Sequence, residues 1–98
     1  QIDGPIADVM NPTPFDEKFR AFGWNVISID AHDLDSIESA VKLAKATKGK
    51  PTAIIAKTTK GKGVSYMEND VSWHGAAPKA DQYEVAMKDL DAAIAAIK

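Results

Sequence analysis

Hydrophobic spacing predicts two strands separated by a helix in the middle of the chain. Residues 24–30 alternate apolar and polar side chains, and residues 52–57 form a short apolar run typical of a strand buried on both faces. Asp35–Glu38 resembles a capping box, and Gly49 followed by Pro51 predicts the end of the helix. Its apolar face consists of Ile37, Ala40, Val41 and Ala44. This order predicts a βαβ unit with parallel strands and a right-handed crossover.

Two further helices are predicted on either side of this unit. The first has Thr13 as N-cap, Pro14 at its first position and Gly23 as its stop. Its apolar stripe, which we assign to the core, is Phe15, Phe19 and Phe22. The last helix is opened by Asp81 and Glu84. Its predicted buried stripe is Tyr83, Ala86, Leu90, Ile94 and Ile97.

The predicted fold class is therefore α/β, with helices flanking a parallel βαβ unit. Residues 1–12 are rich in turn formers and offer little periodic pattern, so few segments remain to extend the sheet. An uncovered strand edge promotes association. We expect the chain to be an incomplete part of a larger sheet or of a multi-chain assembly.

Composition removes several classes of function. The 98 residues correspond to one domain or part of one, and the net charge of −2 gives no basic field for nucleic acid or anionic lipid. The chain has no cysteine, which excludes a disulfide framework and thiolate metal sites. No apolar run approaches the roughly 18 residues needed to span a membrane. Nucleic acid and membrane are thus not expected as partners.

A glycine- and lysine-rich motif follows the second predicted strand. In Lys60-Gly61-Lys62-Gly63 the glycines permit close approach to a ligand, successive amides can form an anion-binding nest, and the lysines add charge suited to phosphate. The motif is neither a Walker loop nor a dinucleotide-binding fingerprint. Taken alone it fits a solvated turn better than a phosphate site, and both interpretations remain open.

Histidine supplies the other candidate chemistry. His74 lies in a loop of small residues and can act near neutrality as proton donor, acceptor or phosphate partner, although surface placement is commoner for such a residue. His32 lies between Asp30 and Asp33 directly after the first strand. Acidic residues there more often form turns and helix caps than a metal site, so we assign no metal ligand.

Together these segments resemble the thiamine-diphosphate-dependent transketolases, and most closely the N-terminal chain of the two-subunit form. The residues that carry the resemblance are Gln1-Ile-Asp-Gly4, Phe15–Trp24, Asp30-Ala-His-Asp33, Lys50-Pro-Thr52, Lys57–Val64, Met67-Glu-Asn69, Trp73-His-Gly75 and Pro78. They span nearly the whole chain in the order of the family, which is more specific than any one motif.

The resemblance implies a larger three-layer αβα fold and two-carbon ketol transfer between sugar phosphates, with thiamine diphosphate supplying the carbanion chemistry. By resemblance, His74 contacts the diphosphate and the reacting centre, and Ile2 packs against the cofactor. Lys60, often isoleucine in relatives, suggests direct phosphate contact, and the motif Lys60–Gly63 as a whole becomes a cofactor-binding segment. The family also implies a cytoplasmic protein of the pentose phosphate pathway.

The sequence departs from the family pattern in three places. Ala31 replaces a usual glycine, and Ala76-Ala77 precede Pro78. In the family, Mg²⁺ and diphosphate are held by a Gly-Asp-Gly motif and a later asparagine, all of which precede the segment matching Gln1–Gly4. We therefore expect the chain to be the C-terminal portion of a pyrophosphate-binding domain, with its metal ligands outside residues 1–98.

The expected partners are the remainder of the transketolase, both the upstream segment and the C-terminal subunit or domain, in a homo- or hetero-oligomer. The 98-residue chain alone is expected to be inactive. A second hypothesis is a non-enzymatic interaction module that binds a partner chain through its exposed sheet edge and helix faces, independently of thiamine diphosphate.

Overall fold

The computed structural model describes residues 2–97, which fall into two compact units. One unit contains the described residues up to Val9 and those from Thr59 onward, and the other is Met10–Thr58. Gln1, the first residue of the Gln1–Gly4 motif, lies outside the described residues. The elements are α1 (Ile6–Val9), α2 (Phe15–Ala21), β1 (Asn25–Asp30), α3 (Leu34–Ala46), β2 (Thr52–Lys57), a 3-10 helix (Val71–His74) and α4 (Ala80–Ala96).

The unit Met10–Thr58 confirms the predicted βαβ arrangement. Strands β1 and β2 pair in parallel from Asn25 against Thr52 to Asp30 against Lys57, and α3 connects them. The Asn25 amide donates hydrogen bonds to the hydroxyls of Thr47 and Thr52, at 3.3 and 3.2 Å, and so ties the end of α3 to the start of β2. The handedness of the crossover stays a prediction.

The first predicted helix is present, but its cap and its core assignment were wrong. Thr13 does not cap α2, because its hydroxyl donates to Asn11 Oδ1 at 2.6 Å and Pro14 occupies the N-cap position. Of the phenylalanine stripe, Phe19 is half-buried and lies with its ring centroid 5.2 Å from that of Trp24, whereas Phe22 is 82% exposed. Phe15 is exposed as well. The helix therefore packs through Phe19 alone of the three.

Helix α3 begins one residue after Asp33, so the capping box predicted at Asp35 was misplaced. The Asp33 carboxylate accepts hydrogen bonds from the Asp35 amide at 3.1 Å and the Ser36 hydroxyl at 2.6 Å. The predicted face is partly confirmed, since Ala40 is 1% exposed and Ile37 and Ala44 are half-buried. Val41 is exposed.

Helix α4 begins at Ala80, with Lys79 rather than Asp81 in the N-cap position. The Gln82 side chain accepts a hydrogen bond from the Lys79 amide at 2.9 Å and thereby satisfies a donor that the helix leaves unpaired. Of the predicted buried stripe only Ala86 is buried.

Apolar surface stays exposed on the strands as well. Ala53 is buried, but Ile54 on the same strand is 37% exposed. The prediction that β2 is buried on both faces was therefore wrong. The reason is that the sheet described here has two strands, and α2 and α3 do not cover all of it. Among residues 2–97, no helix has both the length and the apolarity needed to cross a membrane.

Candidate functional site

Residues 59–70, which we call the glycine loop, fold as a closed series of turns. The Lys62 amide donates to the Thr59 carbonyl at 3.2 Å, and the Asn69 amide donates to the Lys60 carbonyl at 2.9 Å. The second bond draws the two ends of the loop together. The loop that carries the predicted Lys60–Gly63 motif is therefore internally hydrogen-bonded.

Gly61 is required by both conformation and space. Its φ is +69°, in the left-handed region, and a Cβ placed on it would lie 2.4 Å from the Met67 carbonyl oxygen. Gly63 also has a positive φ, +96°, but a Cβ there would meet only the Leu90 side chain, at 3.8 Å. The loop thus closes on itself at Gly61, where the backbone of Met67 fills the space of a side chain.

The carboxylate of Glu68 lies inside the loop. Its Oε1 accepts a hydrogen bond from the Gly63 amide at 3.1 Å and lies 3.6 Å from Lys62 Nζ. The Val64 amide is engaged too, donating to the Gly61 carbonyl at 3.2 Å. The amides of Lys62, Gly63 and Val64 are thus paired within the chain, and at Gly63 the acceptor is this carboxylate. Sequence reasoning gave Glu68 no role.

Two contacts fix the glycine loop to α4. Asp89 Oδ2 accepts hydrogen bonds from the Ser65 amide at 2.8 Å and the Ser65 hydroxyl at 2.7 Å. The Tyr66 hydroxyl donates to the Gln82 carbonyl at 2.9 Å. The bonds from Ser65 hold the pKa of the Asp89 carboxyl below its ordinary value, because they stabilise the charged form. The last helix therefore serves as the scaffold of the loop.

His74 ends the 3-10 helix and is exposed. Asp70 opens that helix, accepting hydrogen bonds from the Ser72 amide at 2.9 Å and the Ser72 hydroxyl at 2.7 Å. These bonds lower the pKa of Asp70, with smaller contributions from the Trp73 side chain and from the charge of Lys60. The Asp70 carboxylate therefore caps the 3-10 helix that ends at His74.

Beside this segment runs an open groove of about 550 Å³, lined by Tyr66, Asp70, Trp73, Asp81, Gln82 and Val85. The rings of Tyr66 and Trp73 meet edge to face with centroids 5.1 Å apart, which fixes the indole next to His74. None of the predicted site residues lines the groove. A period-based interpretation of the sequence could not find this aromatic pair, because both residues lie outside the regular helices and strands.

All the predicted site residues belong to one compact unit, but they differ in setting. Lys60 and Gly63 are half-buried in the glycine loop, while Gly61, Lys62 and His74 are exposed. Ile2 is 72% exposed near the start of the chain, and its contact with a cofactor stays a prediction.

The acidic residues around His32 form turns and caps, as their position after a strand predicted. The His32 amide donates to Asp30 Oδ1 at 2.9 Å, and Asp33 caps α3. The bond from Ser36 is the main cause of a lowered pKa at Asp33. Within residues 2–97, no three histidine, aspartate or glutamate side chains converge as a metal site.

Comparison with known proteins gives a consistent family match. Residues 1–93 match the family model "Transketolase, thiamine diphosphate binding domain". The chain is 41% identical over 91 residues to the 6-deoxy-6-sulfo-D-fructose transketolase subunit SqwG of Clostridium sp. (strain MSTE9), covering 93% of this chain and 33% of that protein.

Other similar proteins come from a second bacterial transketolase and from a mammal. A subunit of the apulose-4-phosphate transketolase of Phocaeicola vulgatus is 38% identical over 90 residues, covering 92% of this chain and 32% of that protein. Transketolase-like protein 2 of Mus musculus is 36% identical over 77 residues, covering 79% of this chain and 12% of that protein. The chain thus spans about a third of the length of the two bacterial subunits that it matches.

Proposed function

The chain belongs to the transketolase thiamine diphosphate binding domain family, and from that premise we propose that the glycine loop and His74 form part of the cofactor site of a transketolase. The observation that carries this proposal is the placement of a glycine-shaped loop with two lysines and of an exposed histidine in one compact unit. The loop and the histidine segment are also continuous in sequence, since Asp70, the last residue of the loop, caps the 3-10 helix that ends at His74.

The residues present fit a diphosphate by charge and by space. Lys60 is half-buried in the loop and supplies a positive charge that attracts an anion. Gly61 and Gly63 carry no side chain, although the Met67 backbone fills the space beside Gly61, and Lys62 is a second lysine that lies 3.6 Å from Glu68 Oε1. Magnesium is not fitted by these residues, because no metal-ligating cluster exists within residues 2–97. We propose that its ligands come from other parts of the enzyme.

Thiamine diphosphate, when bound, supplies the carbanion-stabilising chemistry of ketol transfer. The proposed role of this chain is to hold and orient its diphosphate through Lys60, Lys62 and the backbone around Gly61 and Gly63. Ile2 would pack against the cofactor. His74, at the exposed end of the 3-10 helix, would contact the diphosphate and move protons at the reacting centre.

The two-carbon transfer between sugar phosphates is likewise a proposal, as is assembly with a partner subunit. The reaction class is supported by the names of the two bacterial relatives, each of which is part of a transketolase, one named for 6-deoxy-6-sulfo-D-fructose and one for apulose 4-phosphate; only the second name contains a sugar phosphate. Because these two substrates differ, we assign this chain the shared reaction class and no individual sugar. In this proposal the rest of the enzyme, including the partner subunit, completes a site that the 98-residue chain does not complete alone.

Replacing His74 by alanine in the intact enzyme tests the proposal. The rate of ketol transfer is expected to fall about 10²- to 10⁴-fold, the usual loss for a proton-transfer group. The matched control is Lys88→Ala, which removes an exposed side chain of α4 in the same compact unit and should keep the rate. Unchanged transfer by His74→Ala would remove this residue from the mechanism.

A second candidate function, a non-enzymatic interaction module, is favoured by the exposed apolar side chains of the sheet and of α4. Ile54, Leu90 and Ile94 are all exposed. Such a module would form a stable complex with the partner subunit whether or not thiamine diphosphate is present. Affinity that rises with added cofactor and metal, measured by titration of the two chains, would favour the enzyme instead.

A further inference from the structure

We propose that Glu68 is the positioning residue of the glycine loop, holding the Gly63 amide in place so that the loop keeps the shape that binds the cofactor diphosphate. This inference rests on the proposed function of the loop. Because Glu68 accepts a hydrogen bond from the Gly63 amide, it would act through the backbone of the loop.

The first support is geometric. Gly63 has φ +96°, a conformation available mainly to glycine, and its amide points into the loop, where Glu68 Oε1 accepts its hydrogen bond at 3.1 Å. Without that acceptor, a half-buried amide would lose its protein partner, which is unfavourable. The carboxylate therefore stabilises one particular backbone conformation at Gly63.

The second support is electrostatic. Glu68 Oε1 also lies 3.6 Å from Lys62 Nζ, and the Glu68 side chain is about one-third exposed, at 34%. The hydrogen bond from the Gly63 amide to this carboxylate is charge-assisted, and such a bond is stronger than one between neutral groups. The same oxygen thus orients one backbone amide and one ammonium group of the cofactor-binding motif.

The third support is that the rest of the loop depends on the same segment. The backbone of Met67 fills the space beside Gly61, and the Asn69 amide closes the loop on the Lys60 carbonyl. Glu68 lies between these two residues, so its bond to Gly63 fixes the opposite side of the loop against the segment 67–69. Loss of the bond would loosen the loop between its two closures.

Three substitutions in the intact enzyme separate a positioning bond from a simple charge effect. Glu68→Gln keeps an acceptor oxygen at the same reach, Glu68→Asp keeps the charge but is one methylene shorter, and Glu68→Ala removes both. Glu84→Ala, on the exposed surface of α4 in the same compact unit, is the matched control.

Two readouts are measured: the Kd of thiamine diphosphate with saturating Mg²⁺, and hydrogen exchange of the Gly63 amide in the absence of cofactor. We expect Kd to rise about tenfold or more in the Ala and Asp variants, as for loss of a charged hydrogen bond, and Gly63 exchange to accelerate in both. Glu68→Gln should change both readouts less than Glu68→Ala and Glu68→Asp, since it retains the hydrogen bond and loses only its charge assistance.

Wild-type values for Glu68→Asp together with loss of affinity for Glu68→Gln would overturn the proposal. So would the same Kd and the same Gly63 exchange rate in the three Glu68 variants and in the Glu84→Ala control. If Glu68→Ala fails to fold, the Gln and Asp variants alone decide the result. Gly63 exchange that follows the expected order in a protein without affinity for thiamine diphosphate would confirm the bond and refute the proposed function, so the two failures are distinguishable.

Discussion

At the scale of single residues, the conformation of the glycine loop depends on a few atoms that occupy positions available to a side chain or to a bound anion. The Met67 carbonyl occupies the position of a side chain at Gly61, and the Glu68 carboxylate occupies an anion position at Gly63. These two contacts give the loop a fixed shape before any ligand binds, which reduces the entropy lost on binding. Preorganisation of this kind is what a site for a large anionic cofactor requires.

Substitution of Gly61 by alanine should destabilise the protein more than the same change at Gly49. Both glycines have positive φ, +69° and +82°, so each variant carries a strain cost of about 1 to 2 kcal/mol. At Gly61 a Cβ would also lie 2.4 Å from the Met67 carbonyl oxygen, whereas at Gly49 nothing lies within 4 Å. The clash should add about 1 to 3 kcal/mol, typical of overpacking.

Thermal unfolding followed by circular dichroism measures both variants, with Gly49→Ala as the matched control for the strain. A melting temperature for Gly61→Ala equal to or above that of Gly49→Ala would show that the segment around Met67 moves freely, contrary to the closed loop described here.

At the scale of elements, α4 holds the loop through Ser65 and Tyr66, and the 3-10 helix presents His74 through its Asp70 cap. The two segments proposed to form part of the cofactor site are thus held in different ways. The loop is attached to a regular helix 17 residues long, and the histidine is attached to one turn opened by an aspartate. Attachment to regular elements limits the motion of both.

The Ser65–Asp89 contact predicts a specific acid sensitivity. Because bonds from Ser65 lower the folded-state pKa of Asp89 below its ordinary 3.8, the contact stabilises the folded protein above that pH. This stabilisation is lost as pH falls through the lowered value, since the carboxyl then takes up a proton. Asp89→Asn should therefore lower the melting temperature at neutral pH and reduce its dependence on pH below about 4.

Melting curves from pH 7 to pH 2.5 measure this effect, with Asp91→Asn on the same helix as control. Parallel pH dependences for the wild type and Asp89→Asn would mean that the bonds from Ser65 contribute nothing in solution.

Local patterns predicted the elements better than they predicted the contacts between them. Alternation and β-branching gave both strands within one residue, and Gly23, with φ +82°, ends α2 as expected. The predicted helix caps were wrong because neighbouring side chains such as Asp33 can accept hydrogen bonds from the same amides. Periodicity does not show which of these side chains is the acceptor. The predicted burial of Phe22 was wrong because an apolar stripe shows which side chains can be buried, whereas packing against other elements decides which of them are buried.

The role of the sequence-predicted residues in a cofactor site stays a prediction. Lys60–Gly63 and His74 were singled out, and they belong to one compact unit. Glu68, Ser65 and Asp89 were missed, since each acts through a tertiary hydrogen bond between residues that no local spacing relates. The family match explains why the order of motifs was a stronger signal than any one of them.

At the scale of the whole molecule, the chain matches about a third of each of two bacterial transketolase subunits. Its described residues supply positive charge and a histidine and hold no metal cluster. Under the proposed function, the lysines of the glycine loop would neutralise part of the negative charge of a bound diphosphate.

The most direct test of this account is calorimetric titration of the intact enzyme with thiamine diphosphate at saturating Mg²⁺, comparing Lys60→Ala with Lys88→Ala. Lys60 is half-buried in the glycine loop and Lys88 is exposed on α4 of the same unit, so the two variants lose the same charge in different places. Loss of a charged contact predicts a Kd about 10- to 100-fold higher for Lys60→Ala and an unchanged Kd for Lys88→Ala. Equal affinity in the wild type and both variants would contradict the assignment of the glycine loop to the cofactor diphosphate.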